Sequence, residues 1–510
     1  MVIQLLVIGY LSVIGKLVIG YFKFMVGEKV AKNALVLMLA TTGQKFVAFF
    51  AFMIVARLVG PEITGSYFYA VSVTSVFVII SDLGITPVVI RAIASGQAGA
   101  DRLFGAAIRA KFALVPIAIL ASIGYGILRG NDPVILATIA VACIAMGADA
   151  FHLILYGALR GRQNLKPEAF GMFVGQVLVG SIAASVAILG YGSIGLAVAL
   201  VIGSLWNVAW AYWNIRKQDI KFTKPGRVDI RSLSNQALPF AIAGIAVKVY
   251  SYIDSLMLEA FKGTTAVGYY AVAYKLTYAM QFVPLTFTAA LYPALSQAFA
   301  KKQHDELQKT FVGSMRLMAA VGFPISAGLS ALAPRLIPAI YGDAFSASIA
   351  AMQVLPWVLL PIFIDFPIGA LLNGSNRAHL KTTAMVATML VNAVLNFMLI
   401  PYYGPLGASW AGVFSFWFLL SIGFMFTYKD AGGFKKFLWI ITRAFAAAVV
   451  AWLVWRYIGA YMPLVFAFVF GSAVSVGLAF LVKLVTFEDI WPLWLHLRNK
   501  FQKPENLHEA

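Results

Sequence analysis

A chain of 510 residues that is 61% hydrophobic and only 12% charged, with a mean hydropathy of +0.86, is too apolar for water and excludes a soluble enzyme or an ordinary globular domain. Its formal net charge of +19 would suit a nucleic-acid partner, but basic loops of a membrane protein reach the same sum, so placement decides between the two. The single cysteine, Cys143, lies in an apolar run and can form no intramolecular disulfide.

Residues 1–25 open the chain with an apolar stretch interrupted by Gly9, Gly15 and Gly20, which suits an interfacial helix, an extra span or an uncleaved targeting segment. Apolar runs long enough to cross hydrocarbon as helix, about 20 residues, follow at 34–58, 66–90, 103–128, 133–158, 168–190, 193–215, 234–261, 265–296, 311–333, 345–372, 380–400, 404–428, 437–458 and 462–485. The pattern predicts an all-α integral membrane protein of about fourteen transmembrane helices. Between Asn214 and Arg231 a basic connection holds Lys224, Pro225 and Gly226, where a helix is hard to continue, and divides an N-lobe (26–218) from a C-lobe (219–430) of six spans each. A second break from Tyr428 to Lys436 sets off a C-terminal hairpin (431–485), followed by a charged cytoplasmic tail (486–510).

The lobes repeat each other. Gly157, Gly161, Tyr191 and Gly195 match Gly369, Asn373, Tyr403 and Gly407 at a shift of 212 (369 − 157 and 403 − 191), and Gly60, Gly65 and Tyr67 match Gly263, Gly268 and Tyr270 at 203 (263 − 60). Two lobes that enter the membrane from the same side and repeat without inversion are related by a pseudo-two-fold axis along the membrane normal, the plan of an alternating-access transporter. The connections after even-numbered spans, from Arg91 to Lys436, hold 19 of the 39 lysines and arginines, whereas the connections on the other side hold only Arg57, Arg129, Lys262, Arg335 and Arg456. This places both bundle termini in the cytoplasm of a multi-pass plasma-membrane protein and accounts for the charge without nucleic acid.

A charge inside a span costs about 2.5 to 3.5 kcal/mol unless it meets a cavity or partner. Lys45 and Lys248 each lie 15 residues before their repeat glycine (60 − 45 and 263 − 248), about 22 Å below the outer surface. Facing each other across a central cavity, they would bind an anionic headgroup; snorkelling or local pairing is the plain alternative. Lys275 and the outer Arg57 complete the candidate cationic site. Asp254 lies near enough to Lys275 across the turn at 262–263 to form an ion pair, or to titrate or bind a cation during transport while Lys275 meets phosphate. Tyr270, Tyr274 and Tyr278 recur at helical spacing, with Tyr67 at the repeat position of Tyr270, a stripe suited either to helix packing or to stacking on sugar faces. No Walker loop, His-Glu-x-x-His pair or cysteine cluster is present, so no cofactor or metal is expected and the chain does not read as an enzyme.

At Ala56–Tyr67 with Ser81–Gly84, Ile253–Leu258 with Val267–Leu276, Leu291–Ser296 and Tyr403–Ala408, the chain resembles the polysaccharide flippases of the multidrug/oligosaccharidyl-lipid/polysaccharide exporter superfamily over residues 30–430. The resemblance implies a two-lobed transporter with a cationic cavity that moves a polyprenyl-phosphate- or pyrophosphate-linked oligosaccharide from the inner to the outer leaflet. It also implies membrane lipids, Na+ or H+, and glycosyltransferases or a polymerase of the same pathway as partners. Members of the family tend to carry arginine where this chain has Lys275, which keeps the charge but loses bidentate phosphate geometry. A cation-coupled multidrug exporter of the same superfamily is the alternative. Short outer loops disfavour a membrane glycosyltransferase or ligase.

Overall fold

The computed structural model describes residues 28–97, 99–218 and 226–486, in fifteen α-helices with no β-strand among the described residues. The extension 1–25, the linker residues 219–225 and the tail from 487 lie outside the described residues. The first repeat comprises α1 (Glu28–Asp82), α2 (Ile85–Ala94), α3 (Ala100–Leu128), α4 (Pro133–Gly161), α5 (Lys166–Leu189) and α6 (Gly192–Lys217). The second comprises α7 (Arg227–Ala279), α8 (Phe282–Ala300), α9 (His304–Tyr341), α10 (Ser348–Val354), α11 (Leu359–Gly374), α12 (Ala378–Tyr403) and α13 (Pro405–Thr427), and α14 (Phe434–Tyr457) and α15 (Leu464–Leu481) follow.

Every expected span falls largely on helix, and among the described residues eleven helical stretches are long and apolar enough to cross a membrane, so the protein is a multi-pass membrane protein. Large apolar side chains such as Leu120, Ile188 and Phe466 point outward, as a lipid solvent permits. Three expected spans are broken, one of them, 345–372, by a 3-10 turn at Leu355–Val358 between α10 and α11. Residues 66–90 divide at Leu83 and Gly84, both at positive φ (42° and 76°), and residues 265–296 divide between α7 and α8. At the first break a side chain on Gly84 would collide with the backbone of Ala237 and Ala241, so the bend admits close approach of α7.

The two longest helices are hairpins. Gly60 (φ 76°, ψ 178°) interrupts α1 and Gly263 (φ 79°, ψ 174°) interrupts α7 at the same repeat position, a conformation that only glycine adopts without strain. Tyr270 Oη donates to Asp254 Oδ2 at 2.8 Å, although a straight helix would hold residues sixteen apart about 24 Å from each other. The α1 arms, 28–59 and 61–82, reverse likewise. Lys275 Nζ lies 5.6 Å from the ring of Phe52 and 5.4 Å from that of Phe68.

The hairpins cross near their tips through glycine. A Cβ on Gly65 would overlap the carbonyl oxygen of Thr264, and a Cβ on Gly268 would overlap that of Pro61. Both pairs obey the shift of the repeat (264 − 61 = 203 and 268 − 65 = 203), so the contact is two-fold symmetric. Small residues allow the backbone approach that drives helix association in lipid, where apolar side chains gain nothing from leaving water.

By packing, the described chain forms two compact units. The first holds residues through Phe282 with Ile337–Ala351 and Met385–Ser415, and its core gathers Val88, Phe104, Ile154, Tyr156 and Leu159. The second holds Val283–Leu336, Met352–Ala384 and the chain from Phe416. Its core is built on Phe311, Phe323, Ile364 and Leu371. Here α14 docks by stacking Phe437 on Phe424 at 3.7 Å and by seating Trp455 against Gly328 and Gly471. The repeat boundary at 218/219 lies inside the first unit.

Gly65→Ala and Gly268→Ala are each expected to destabilise the protein by roughly 1–3 kcal/mol through overpacking, read as a lowered thermal midpoint in detergent. Gly124→Ala, whose added methyl group would meet nothing within 4 Å, is expected to leave the midpoint unchanged.

Candidate functional site

The hairpin crossing creates two cavities in the first unit. One, of about 300 Å³, is lined by Thr42, Lys45, Phe46, Phe49 and Phe50 of α1 and by Tyr274, Lys275, Tyr278, Gln281 and Phe282 at the α7–α8 junction. Two of the expected cations therefore share one chamber with two of the expected tyrosines, whose rings stack at 4.3 Å. Lys275 Nζ sits over the faces of Phe52 and Phe68, which stabilises the ammonium while leaving its donors available. Among the described residues no carboxylate lines this cavity, so its electrostatics are cationic and suited to phosphate.

Lys248 does not face Lys45. It lines a second cavity, of about 390 Å³, with Val71, Ser75, Val78, Ile79 and Asp82 of α1 and Asp149 and His152 of α4. The reason is the crossed packing: the first arm of each hairpin lies against the second arm of the other. At the repeat shift of 203, Lys45 maps to Lys248, and Tyr274, Lys275, Tyr278, Gln281 and Phe282 map to Val71, Ser72, Ser75, Val78 and Ile79. The cavities are thus symmetry-related in position but not in chemistry. Equal depth put the two lysines at one level; the crossing put them in different chambers.

Asp254 is not paired with Lys275. It accepts from Tyr270 Oη at 2.8 Å and from Asn396 Nδ2 at 2.5 Å, and Asn396 also donates to Asn392 Oδ1 at 2.9 Å. Neutral donors on α7 and α12 satisfy the carboxylate, and among the described residues Lys275 has no ion pair. This partnership removes Tyr270 from the sugar-facing set, since its ring is fully buried. Tyr67 is half-buried and lines neither cavity; the repeat position of Asp254 is Ala51, so it has no equivalent acceptor. Arg57 also lies elsewhere. Its Nη1 donates to Ala339 O at 2.7 Å and Ile340 O at 3.2 Å, satisfying carbonyls at the C-terminal end of α9.

Three polar groupings escaped the sequence reading. Lys111, fully buried, bridges Asp82 at 2.7 Å. Glu259 accepts from Asn131 Nδ2 at 2.6 Å and lies 3.6 Å from Arg129, while Tyr69 donates to Asn131 at 3.1 Å, tying the α3–α4 turn to the α7 hairpin. In the second unit Lys381 contacts Asp365 at 2.5 Å. The signal available for Asn392 and Asn396 was an i, i+4 polar pair on one face of an apolar span.

Comparison with known proteins adds a separate line. A family model described as "Polysaccharide biosynthesis protein" matches residues 30–299, and the MatE model matches residues 239–398. The chain is 23% identical over 397 residues to the "Probable low-salt glycan biosynthesis flippase Agl15" of Haloferax volcanii, covering 76% of this chain and 81% of that protein. It is 24% identical over 320 residues to the "Lipid II flippase MurJ" of Bacillus subtilis, covering 56% and 58% respectively. A solved inward closed conformation of lipid II flippase MurJ superposes with a TM-score of 0.71 at 13% identity, covering 90% of this chain and all of that one.

Asp254→Ala would leave the Tyr270 hydroxyl buried without an acceptor and reduce the Asn396 amide to its bond with Asn392, at about 1–3 kcal/mol. Thermal unfolding in detergent is expected to register that loss, with Tyr270→Phe milder because Asn396 still serves the carboxylate.

Proposed function

Because the chain belongs to the polysaccharide biosynthesis protein family, we propose that it is a transporter, not an enzyme, and that it flips a polyprenyl-phosphate- or pyrophosphate-linked oligosaccharide from the cytoplasmic to the outer leaflet by alternating access. The observation that carries this reading is the cavity in which Lys45 and Lys275 stand without a carboxylate beside stacked Tyr274 and Tyr278. The lysines supply charge to the phosphate, while the tyrosines and Gln281 offer ring faces and hydrogen bonds to sugar. A hydroxyl-rich, anionic head cannot cross hydrocarbon unaided, because each unpaired polar group costs kcal/mol. The names of the flippase relatives support the same substrate class.

In this reading the repeats 26–218 and 219–430 move about their pseudo-two-fold axis, with 431–485 as an accessory hairpin. The basic loops face the cytoplasm of the plasma membrane and hold both bundle termini there. Asp254, with Asn392 and Asn396 beside it, is the candidate for coupling to Na+ or H+, and glycosyltransferases or a polymerase of the pathway supply and consume the lipid-linked sugar. The match to the MatE model over 239–398 favours one second reading, a cation-coupled drug exporter. The two uncompensated lysines oppose it, since cationic drugs would be repelled.

In proteoliposomes, wild-type protein is expected to expose a fluorescent polyprenyl-pyrophosphate sugar to the opposite leaflet. Lys45→Ala/Lys275→Ala is expected to slow this by at least about tenfold, equivalent to ~1.4 kcal/mol, while eluting as a folded monodisperse species. Undiminished movement by the folded double variant would remove the lysines from the site. Export of cationic dyes under a Na+ or H+ gradient without glycolipid movement would select the exporter reading.

A further inference from the structure

The second cavity is the symmetry mate of the first, yet its chemistry rules out the same ligand. The repeat equivalents of Lys275 and Tyr278 are Ser72 and Ser75, and α4 adds Asp149 and His152 to the lining. One side of the cavity therefore carries an acid and an imidazole from the first repeat; the other carries Lys248 from the second.

The charges around this cavity resolve into pairs with one remainder. From the second arm of α1, Asp82 is neutralised by Lys111 of α3 at 2.7 Å. On α4, Arg160 forms an ion pair with Glu168 of α5. From α6 the neighbour of Asp149 is a hydroxyl, Ser204. What remains is Asp149, His152 and Lys248. His152 Nδ1 stands 3.3 Å from Asp149 Oδ1, yet it is buried without a hydrogen bond, while the side chain of Asp149 is 50% exposed to the cavity. Lys248 has no carboxylate within 4.0 Å among the described residues and rests 5.9 Å from the ring of Tyr252.

We propose that Asp149 and His152 form a proton-binding site in this second cavity, distinct from the headgroup cavity, whose occupancy sets the electrostatic pull of the first repeat on Lys248 of the second. The proposal rests on the transporter reading. The proton comes from water and is held by the pair as a unit, between the Asp149 carboxylate and the His152 imidazole 3.3 Å away. With no proton bound, the pair carries a net negative charge that attracts Lys248 across the cavity. With one proton bound, the α4 pair is neutral overall and that attraction ends. Because the two partners belong to different repeats, the proton acts on their relative arrangement and can couple transport to a pH gradient. A sodium ion suits this cavity poorly, since Lys248 would repel it.

Two measurements test the site on the full-length protein. Histidine-selective NMR in nanodiscs, with His152→Gln to assign the resonance, is expected to show the His152 signal moving with pH as the pair takes up its proton, with the midpoint displaced in Asp149→Asn. A His152 signal that stays fixed with pH in the folded protein, or an unmoved midpoint in Asp149→Asn, overturns the proposal whether or not the protein flips glycolipid. In proteoliposomes, the wild-type flipping rate is expected to change severalfold under an imposed pH gradient, and His152→Gln is expected to flatten that response. A response retained in full by His152→Gln, or one driven by a Na+ gradient alone, also overturns it. Proton uptake by the pair alongside no flipping of any glycolipid would instead count against the transporter reading and leave the proton site standing.

Discussion

The close crossing of two glycines is the constraint on which the first unit depends. In lipid there is no hydrophobic gain from pressing apolar helices together, so association relies on contact area and on polar bonds. Gly65 and Gly268 let the hairpin tips meet backbone to backbone, with Pro61 and Thr264 as reciprocal neighbours. Gly60 and Gly263 supply the reversals just before them. Once tips and turns are fixed, the second arm of α7 must run beside the first arm of α1, and the second arm of α1 beside the first arm of α7. Both cavities follow from that pairing, as does the burial of Tyr270 on Asp254.

The cavities then differ by side chain alone. Each receives a lysine at the same depth, but the first adds a second lysine and the other adds an acid and a histidine. At an effective dielectric of 20, a unit charge about 4 Å from a phosphate oxygen contributes ~4 kcal/mol. Two lysines in one chamber can therefore offset the desolvation of a phosphate, whereas Lys248 beside Asp149 offers an anion little. In the proposed function, geometric symmetry with chemical asymmetry lets one crossing serve two tasks, holding the cargo's charge and holding a charge of the protein's own.

Much of this was legible from residues. The repeat shift of 203 is the same relation that the glycine contacts obey, and the depth expected for Lys45 and Lys248 came from helical rise. Azimuth was not. A residue's direction around its helix matters only relative to neighbours that sequence spacing does not identify, which is why Lys248 was expected opposite Lys45 and Asp254 opposite Lys275. Of the partners that satisfy Asp254, Asn396 lies on α12, 142 residues further on. Arg57 illustrates the same gap, because a cation at a span end can serve a ligand or cap a helix, and the cap on α9 is a long-range contact.

The tip contacts also bound the energetics of opening. Any state that separates the hairpin tips must break the bonds of Glu259 to Asn131 and of Arg57 to the α9 carbonyls, each a charge-assisted contact of about 1.5–3 kcal/mol. The glycine crossing contributes close packing but few side-chain atoms, so its separation adds dispersion loss and little desolvation. Moving a two-state equilibrium from 1:99 to 99:1 needs about 5.5 kcal/mol of differential binding. The closure is of that same order, so in the proposed function a phosphate held by two lysines in one state and fewer in the other would carry enough free energy to shift it.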